Sequence, residues 1–181
     1  MTELPSEQDI REVLLEMAHS EDRTGWGDVK LQLFSLPEDL LLPVLREGVQ
    51  DVDPMVRCQA GTLLMDLQGG RHVEFYQSLF RDPEDWVRWN ITGKASTLQE
   101  VNLDHGIRER LLTDEEVSVQ VVATCYLNEV VGPSSIPFLL WLITHPTEPD
   151  LLGHTRNSAA EGSLTSLLLW HASGLDAEVL I

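Results

Sequence analysis

The sequence predicts an all-α protein, a short α-solenoid of about four to five antiparallel helix pairs, and three observations predict it. Apolar residues recur at helical spacing through most of the 181-residue chain. From Pro37 onward the helical segments fall into pairs joined by short turns. The second segments of those pairs share a residue pattern, whose second residues are 31, 30 and 38 positions apart. One pair of about 30 residues cannot bury its apolar stripe alone, so neighbours have to stack into a continuous core. With 43% apolar residues the chain can supply that core, and its length suits a single domain over 1–181.

Residues 1–36 read as N-terminal capping helices. Ser6 is a good N-cap, and Asp9 three residues later forms a capping box, shorter than the usual Glu. Ile10, Leu14 and Met17 recur at helical spacing and Val13 widens the stripe. Gly25 and Gly27 around Trp26 mark a turn, and a short helix over Asp28 to Phe34 should stop before Pro37. Residues 37–169 read as the repeats. The first pair is Glu38 to Gly48, an Asp-Val-Asp-Pro turn, and Met55 to Leu67. The second is His72 to Phe80, an Asp-Pro-Glu-Asp turn, and Trp86 to Leu98. The third runs from Asp104 to Leu112 and from Glu116 to Val130. The fourth runs from Ser134 to Ile143 and from Leu151 to Leu169. Residues 170–181 are a C-terminal tail. Val117, Val119 and Val121 alternate like a strand, yet Val117, Val121, Thr124, Cys125 and Asn128 also make a helical face. A lone strand among stacked helices would leave its backbone unpaired, so helix is expected.

The aligned second segments are Val56-Arg57-Cys58-Gln59-Ala60, Val87-Arg88-Trp89-Asn90-Ile91, Val117-Ser118-Val119-Gln120-Val121 and Thr155-Arg156-Asn157-Ser158-Ala159. In three of them an acid stands six residues before the arginine: Asp51 and Arg57, Asp82 and Arg88, Asp150 and Arg156. In this alignment the third copy has Leu112 and Ser118 at those places, and Pro43 lies eight residues before Asp51. These residues resemble the HEAT repeat, in the short variety seen in bilin-lyase-like proteins, with its first-helix proline, its turn aspartate and its Val-Arg/Lys pair. The resemblance spans roughly Pro37 to Leu169. It lacks the first-helix proline in the second and third copies, and the fourth turn is long. It implies a curved solenoid, and with it the structural role of Asp51, Asp82, Asp150 and Arg156: aspartates at turns, capping second helices and meeting arginines of the same or the next repeat. As partly exposed pairs these would contribute about 0–1 kcal/mol each.

Charge limits the partners. Thirty Asp and Glu against 12 Lys and Arg give a formal charge of −18. That argues against nucleic acid, whose phosphates are bound largely by basic side chains, and against anionic lipid. Residues 1–53 hold 13 acids and 4 bases, residues 54–114 hold 9 and 7, and residues 115–181 hold 8 and 1. The acidic ends are either solvated faces or surfaces that embrace a cationic protein. The opening Met1 to Asp9 is polar and acidic, where a secretory signal starts basic and turns apolar. The longest strongly apolar run, Ile136 to Ile143, is less than half a membrane span. A cytoplasmic protein is expected.

Chemistry finds little support. The two cysteines, Cys58 and Cys125, make neither a disulfide framework nor a zinc site, and the six histidines show no ligand spacing. No catalytic residue, metal site or cofactor is assigned. The expected function is non-enzymatic: a protein–protein interaction module whose concave face binds a basic partner, as an inhibitor or immunity protein or as an adaptor. Candidate binding residues are Trp86 and Trp89, which either pack between repeats or present an anchor, together with Arg57 and Arg88. Gln59, Asn90 and Gln120 share one aligned position and form a polar ladder if it faces the concave side. The resemblance also implies alternatives, since HEAT-like proteins include alkylpurine DNA glycosylases and bilin lyases. A third reading is a structural subunit of a homo-oligomer. The apolar C-terminal end, Leu167 to Trp170 and Ala177 to Ile181, predicts self-association where a solenoid cap should be polar.

Overall fold

A computed structural model describes residues 4–20, 25–68, 73–98, 112–126, 135–145 and 159–165. They are helical, with no strand among the described residues. The chain forms two compact units, Met1–Ile91 and Thr92–Ile181. Asp150 and Arg156, the paired segment from Asp104 to Leu111, and the C-terminal tail all lie outside the described residues.

In the first unit, α1 (Glu7–His19) begins on a complete capping box. The Ser6 Oγ accepts the Asp9 N–H at 3.2 Å, and Asp9 Oδ2 accepts the Ser6 N–H at 2.7 Å. Its buried stripe is Ile10, Leu14, Met17 and Ala18. α2 (Trp26–Phe34) starts two residues earlier than expected, because Gly25 takes a left-handed φ of 85°. That turns the chain sharply enough for Trp26 and Gly27 to enter the helix. α3 (Glu38–Gly48) and α4 (Pro54–Gln68) pack on each other and on α1, while α2 rests against α3. The three meet at Gly48, where a Cβ would lie 2.8 Å from Ala60 Cβ and 2.9 Å from Leu14 Cδ2. Helices approach this closely only across a residue without a side chain.

The first segment of the second pair is not an α-helix. It forms two short 3-10 helices, Val73–Phe75 and Gln77–Arg81. Nine residues are marginal for an α-helix. A 3-10 turn aligns positions three apart, which here buries Tyr76 and Leu79 together, with Phe80 edge-on to Tyr76 at 6.4 Å. The Arg46 guanidinium lies 3.6 Å over the Phe75 ring. α5 (Asp85–Thr97) follows, burying Val87 and Ile91 in the first unit, and it contains the boundary between the units.

The second unit contains the end of α5, then α6 (Val117–Tyr126), α7 (Ile136–Thr144) and a helical stretch over 159–165. The valine alternation resolves as helix. Its buried face is Val119, Gln120, Ala123, Thr124 and Tyr126, while Val117 and Val121 are only half-buried. The face is therefore displaced from the one expected. No helix among the described residues is long and apolar enough to cross a membrane.

The turns explain the displacement. Asp51 Oδ1 accepts the Asp53 N–H at 2.8 Å, Asp82 Oδ1 that of Glu84 at 3.0 Å, and Asp114 Oδ1 that of Glu116 at 3.0 Å. Six residues after each aspartate a long side chain reaches back to its carbonyl. Arg57 Nη1 donates to Asp51 O at 2.9 Å, Arg88 Nη1 to Asp82 O at 2.7 Å, and Gln120 Nε2 to Asp114 O at 2.5 Å. A buried valine precedes each donor: Val56, Val87 and Val119. The third copy is thus Asp114 and Gln120, not Leu112 and Ser118. Gln120 is equivalent to Arg57 and Arg88 and does not share the aligned position of Gln59 and Asn90.

Arg57 does more than hold its own turn. Its Nε and Nη2 donate to Asp82 Oδ2 and Oδ1 at 2.7 and 2.8 Å, a bidentate pair linking successive turns. The side chains are 13% and 3% exposed. This is a buried pair, so the estimate for partly exposed ones does not apply to it. Hydrogen bonding to Asp82 raises the Arg57 pKa above its usual value against the opposing effect of burial.

Candidate functional site

Within the first unit, the faces of α4 and α5 and the end of α1 enclose a groove of about 650 Å³. Gln59 on α4 and Trp86 and Asn90 on α5 line it, so three of the candidate residues are brought together. Helical geometry places them there: Trp86 and Asn90 are four apart and share a face, and the Asn90 Nδ2 donates to the Trp86 carbonyl at 2.8 Å. Arg57 and Arg88 are turned into the inter-helix turns instead. Trp89 is 46% exposed on α5 and is not part of the lining. Gln120 is buried in the second unit.

The groove also contains residues that were not among the binding candidates: His19, Trp26, Met55, Cys58 and Thr62. Trp26 arrives only because α2 begins early at Gly25. Met55, Gln59 and Thr62 are a helical set at i, i+4 and i+7, so part of the lining could have been read once a groove face was known. At the groove's edge the His19 Nε2 and Asp53 Oδ2 are 2.7 Å apart. Burial favours protonated Asp53, but the Met55 N–H and the His19 ring outweigh it and hold the carboxyl below its usual range. The Cys58 thiol is pushed up to about 11, first by burial and then by the Asp82 charge. A thiol so held is protonated at neutral pH and is no nucleophile.

Two polar groups in the groove have no internal use. Among the described residues, none hydrogen-bonds the Gln59 side-chain amide or the Trp86 indole N–H. Both groups are half-buried and positioned on rigid helices. Around them the charge is one-sided. Residues 1–91 carry 18 acids and 8 bases, and most of the bases among the described residues are engaged within the unit. Arg11 pairs with Glu47, Lys30 with Asp66 and Arg57 with Asp82, Arg88 donates to the Asp82 and Pro83 carbonyls, and Arg46 covers Phe75. Among the described residues, no group of three or more His, Cys, Asp or Glu could hold a metal ion.

No family model, no curated protein and no solved structure matches this chain.

Proposed function

We propose that this chain is a HEAT-like α-solenoid of antiparallel helix pairs that acts without chemistry of its own, binding a basic protein through the α4–α5 groove. The observation that carries the reading is the presence of an unengaged Trp86 indole N–H and Gln59 amide in one groove whose lining mixes apolar and polar side chains. Tryptophan anchors in pockets dominate binding energy where they occur. The excess of acids over bases in residues 1–91 supports a basic partner, since the carboxylates set the potential and would steer cations toward the groove. An inhibitor, immunity or adaptor role fits this chemistry equally, and a cytoplasmic setting suits two cysteines that form no disulfide, Cys58 and Cys125.

The test is site-specific photo-cross-linking in the native host, with the photoreactive residue at Gln59 and, as a control, at the exposed Leu140. A discrete adduct is expected at Gln59 alone, reduced by Trp86→Ala and by about 1 M salt, which shortens the Debye length to about 3 Å. An adduct at Leu140 as strong as at Gln59, or one indifferent to both Trp86→Ala and salt, contradicts the proposal.

A further inference from the structure

We propose a second binding site in this chain, a groove between α1 and α2 that receives an amphipathic helix carrying lysine or arginine beside its apolar face. The groove has a volume of about 580 Å³. Its floor includes Val13 on α1, Trp26 and Val29 on α2, and Leu36 after it, all only half-buried. An apolar cleft between two helices is the shape into which a third helix lays anchors at i, i+3 or i+4, and i+7.

Its charge says which helix. Asp9 and Glu16 both line the groove, and among the described residues no basic side chain does. Seven residues apart on α1, they lie about 10.5 Å apart along the helix axis, two turns on one side of the cleft. Hydrogen bonds from Ser6 hold the Asp9 carboxyl below its usual range, so it stays ionised. The bases on these helices are drawn elsewhere: Arg11 pairs with Glu47 on α3, Lys30 with Asp66 on α4 at 2.5 Å. His19 sits against Asp53. Nothing cationic within the described lining answers the two carboxylates. A ligand helix with cations one or two turns apart on one flank would, whereas an acidic helix of the same apolar pattern would be repelled. Ser20 and Trp26 line this groove and the α4–α5 groove alike, but the inference does not require that the latter bind anything.

The experiment is fluorescence anisotropy on the whole protein with designed peptides of about 14 residues, four helical turns. One carries a leucine stripe flanked by two lysines seven apart, and its counterpart has glutamates at those places. The lysine peptide should bind at least about tenfold more tightly at low salt. Glu16→Arg, an exposed change with no capping role, should abolish or reverse that preference. Val29→Asp should weaken both peptides, and Trp86→Ala should leave both unchanged. Circular dichroism of each variant establishes that it is folded. Equal affinity for the two peptides, no binding of the lysine peptide at about 100 μM, or a lysine preference that survives Glu16→Arg would overturn the proposal.

Discussion

Replacing Asp82 by alanine removes three hydrogen bonds at once: two from Arg57 and one from the Glu84 N–H. The Arg57 guanidinium, on a side chain 13% exposed, is left with the carbonyls of Asp51 and Val52. Breaking a buried pair from one side costs about 3–5 kcal/mol, because the surviving charge stays desolvated. The remaining carbonyl contacts and partial exposure place Asp82→Ala near the lower figure, about 3 kcal/mol. Asp82→Asn keeps an oxygen for the Glu84 N–H and should cost about 2 kcal/mol. Arg57→Met strands the Asp82 carboxylate, 3% exposed, without its guanidinium partner and should also cost about 3 kcal/mol. In the double mutant the losses should not add, leaving a coupling of about 2 kcal/mol. Urea denaturation measures all of these, urea being chosen because guanidinium would screen the pair. A coupling under about 0.5 kcal/mol would refute the view that this pair ties one turn to the next.

Gly48→Ala forces its methyl against Ala60 Cβ, which has no rotamer to yield. Destabilisation of about 2 kcal/mol is expected, and an unchanged urea midpoint would count against the close contact of α1, α3 and α4. With the Cys58 thiol near 11, disulfide-reagent labelling of a Cys125→Ser variant at pH 8 should run about a hundredfold slower than for the unfolded chain; equal rates contradict the burial of Cys58. Asp53, held below its usual range, contributes stability above the ordinary carboxylate pKa of about 4, and this is lost as pH falls through its folded value. Melting temperatures from pH 6 to 3 should therefore fall less steeply for Asp53→Asn, and parallel curves would rule that contribution out.

Where local chemistry decides structure, the sequence was readable. The Ser6–Asp9 box and the Ile10, Leu14, Met17 stripe need only neighbours within two turns. The α3 limits follow from Pro37 and the turn beginning at Val49. What escaped was settled by tertiary contact. The second pair's first segment adopts 3-10 turns because Tyr76, Leu79 and Phe80 are buried together, which no propensity announces. The third copy was misaligned by two residues because Val117-Ser118 mimics the Val-Arg pair. The physical requirement is a donor long enough to reach a carbonyl six residues back, and glutamine meets it as arginine does. Read that way, Asp51-x4-Val56-Arg57, Asp82-x4-Val87-Arg88 and Asp114-x4-Val119-Gln120 are one pattern at steps of 31 and 32. Of the groove, Trp86, Gln59 and Asn90 stood among the candidates but in separate groups, because which helix faces meet is decided by tertiary packing. Trp26 was not among them, since its place depends on the left-handed turn at Gly25.

The equivalence of these three turns is tested most directly by stability measurements on Gln120→Glu and Ser118→Ala. Glutamate is nearly isosteric with glutamine but replaces the Nε2 donor by an oxygen facing the Asp114 carbonyl in a buried site. Gln120→Glu should lose at least about 2 kcal/mol and Ser118→Ala no more than about 0.5 kcal/mol. A harmless Gln120→Glu beside a damaging Ser118→Ala would restore the other register and dissolve the recurrence.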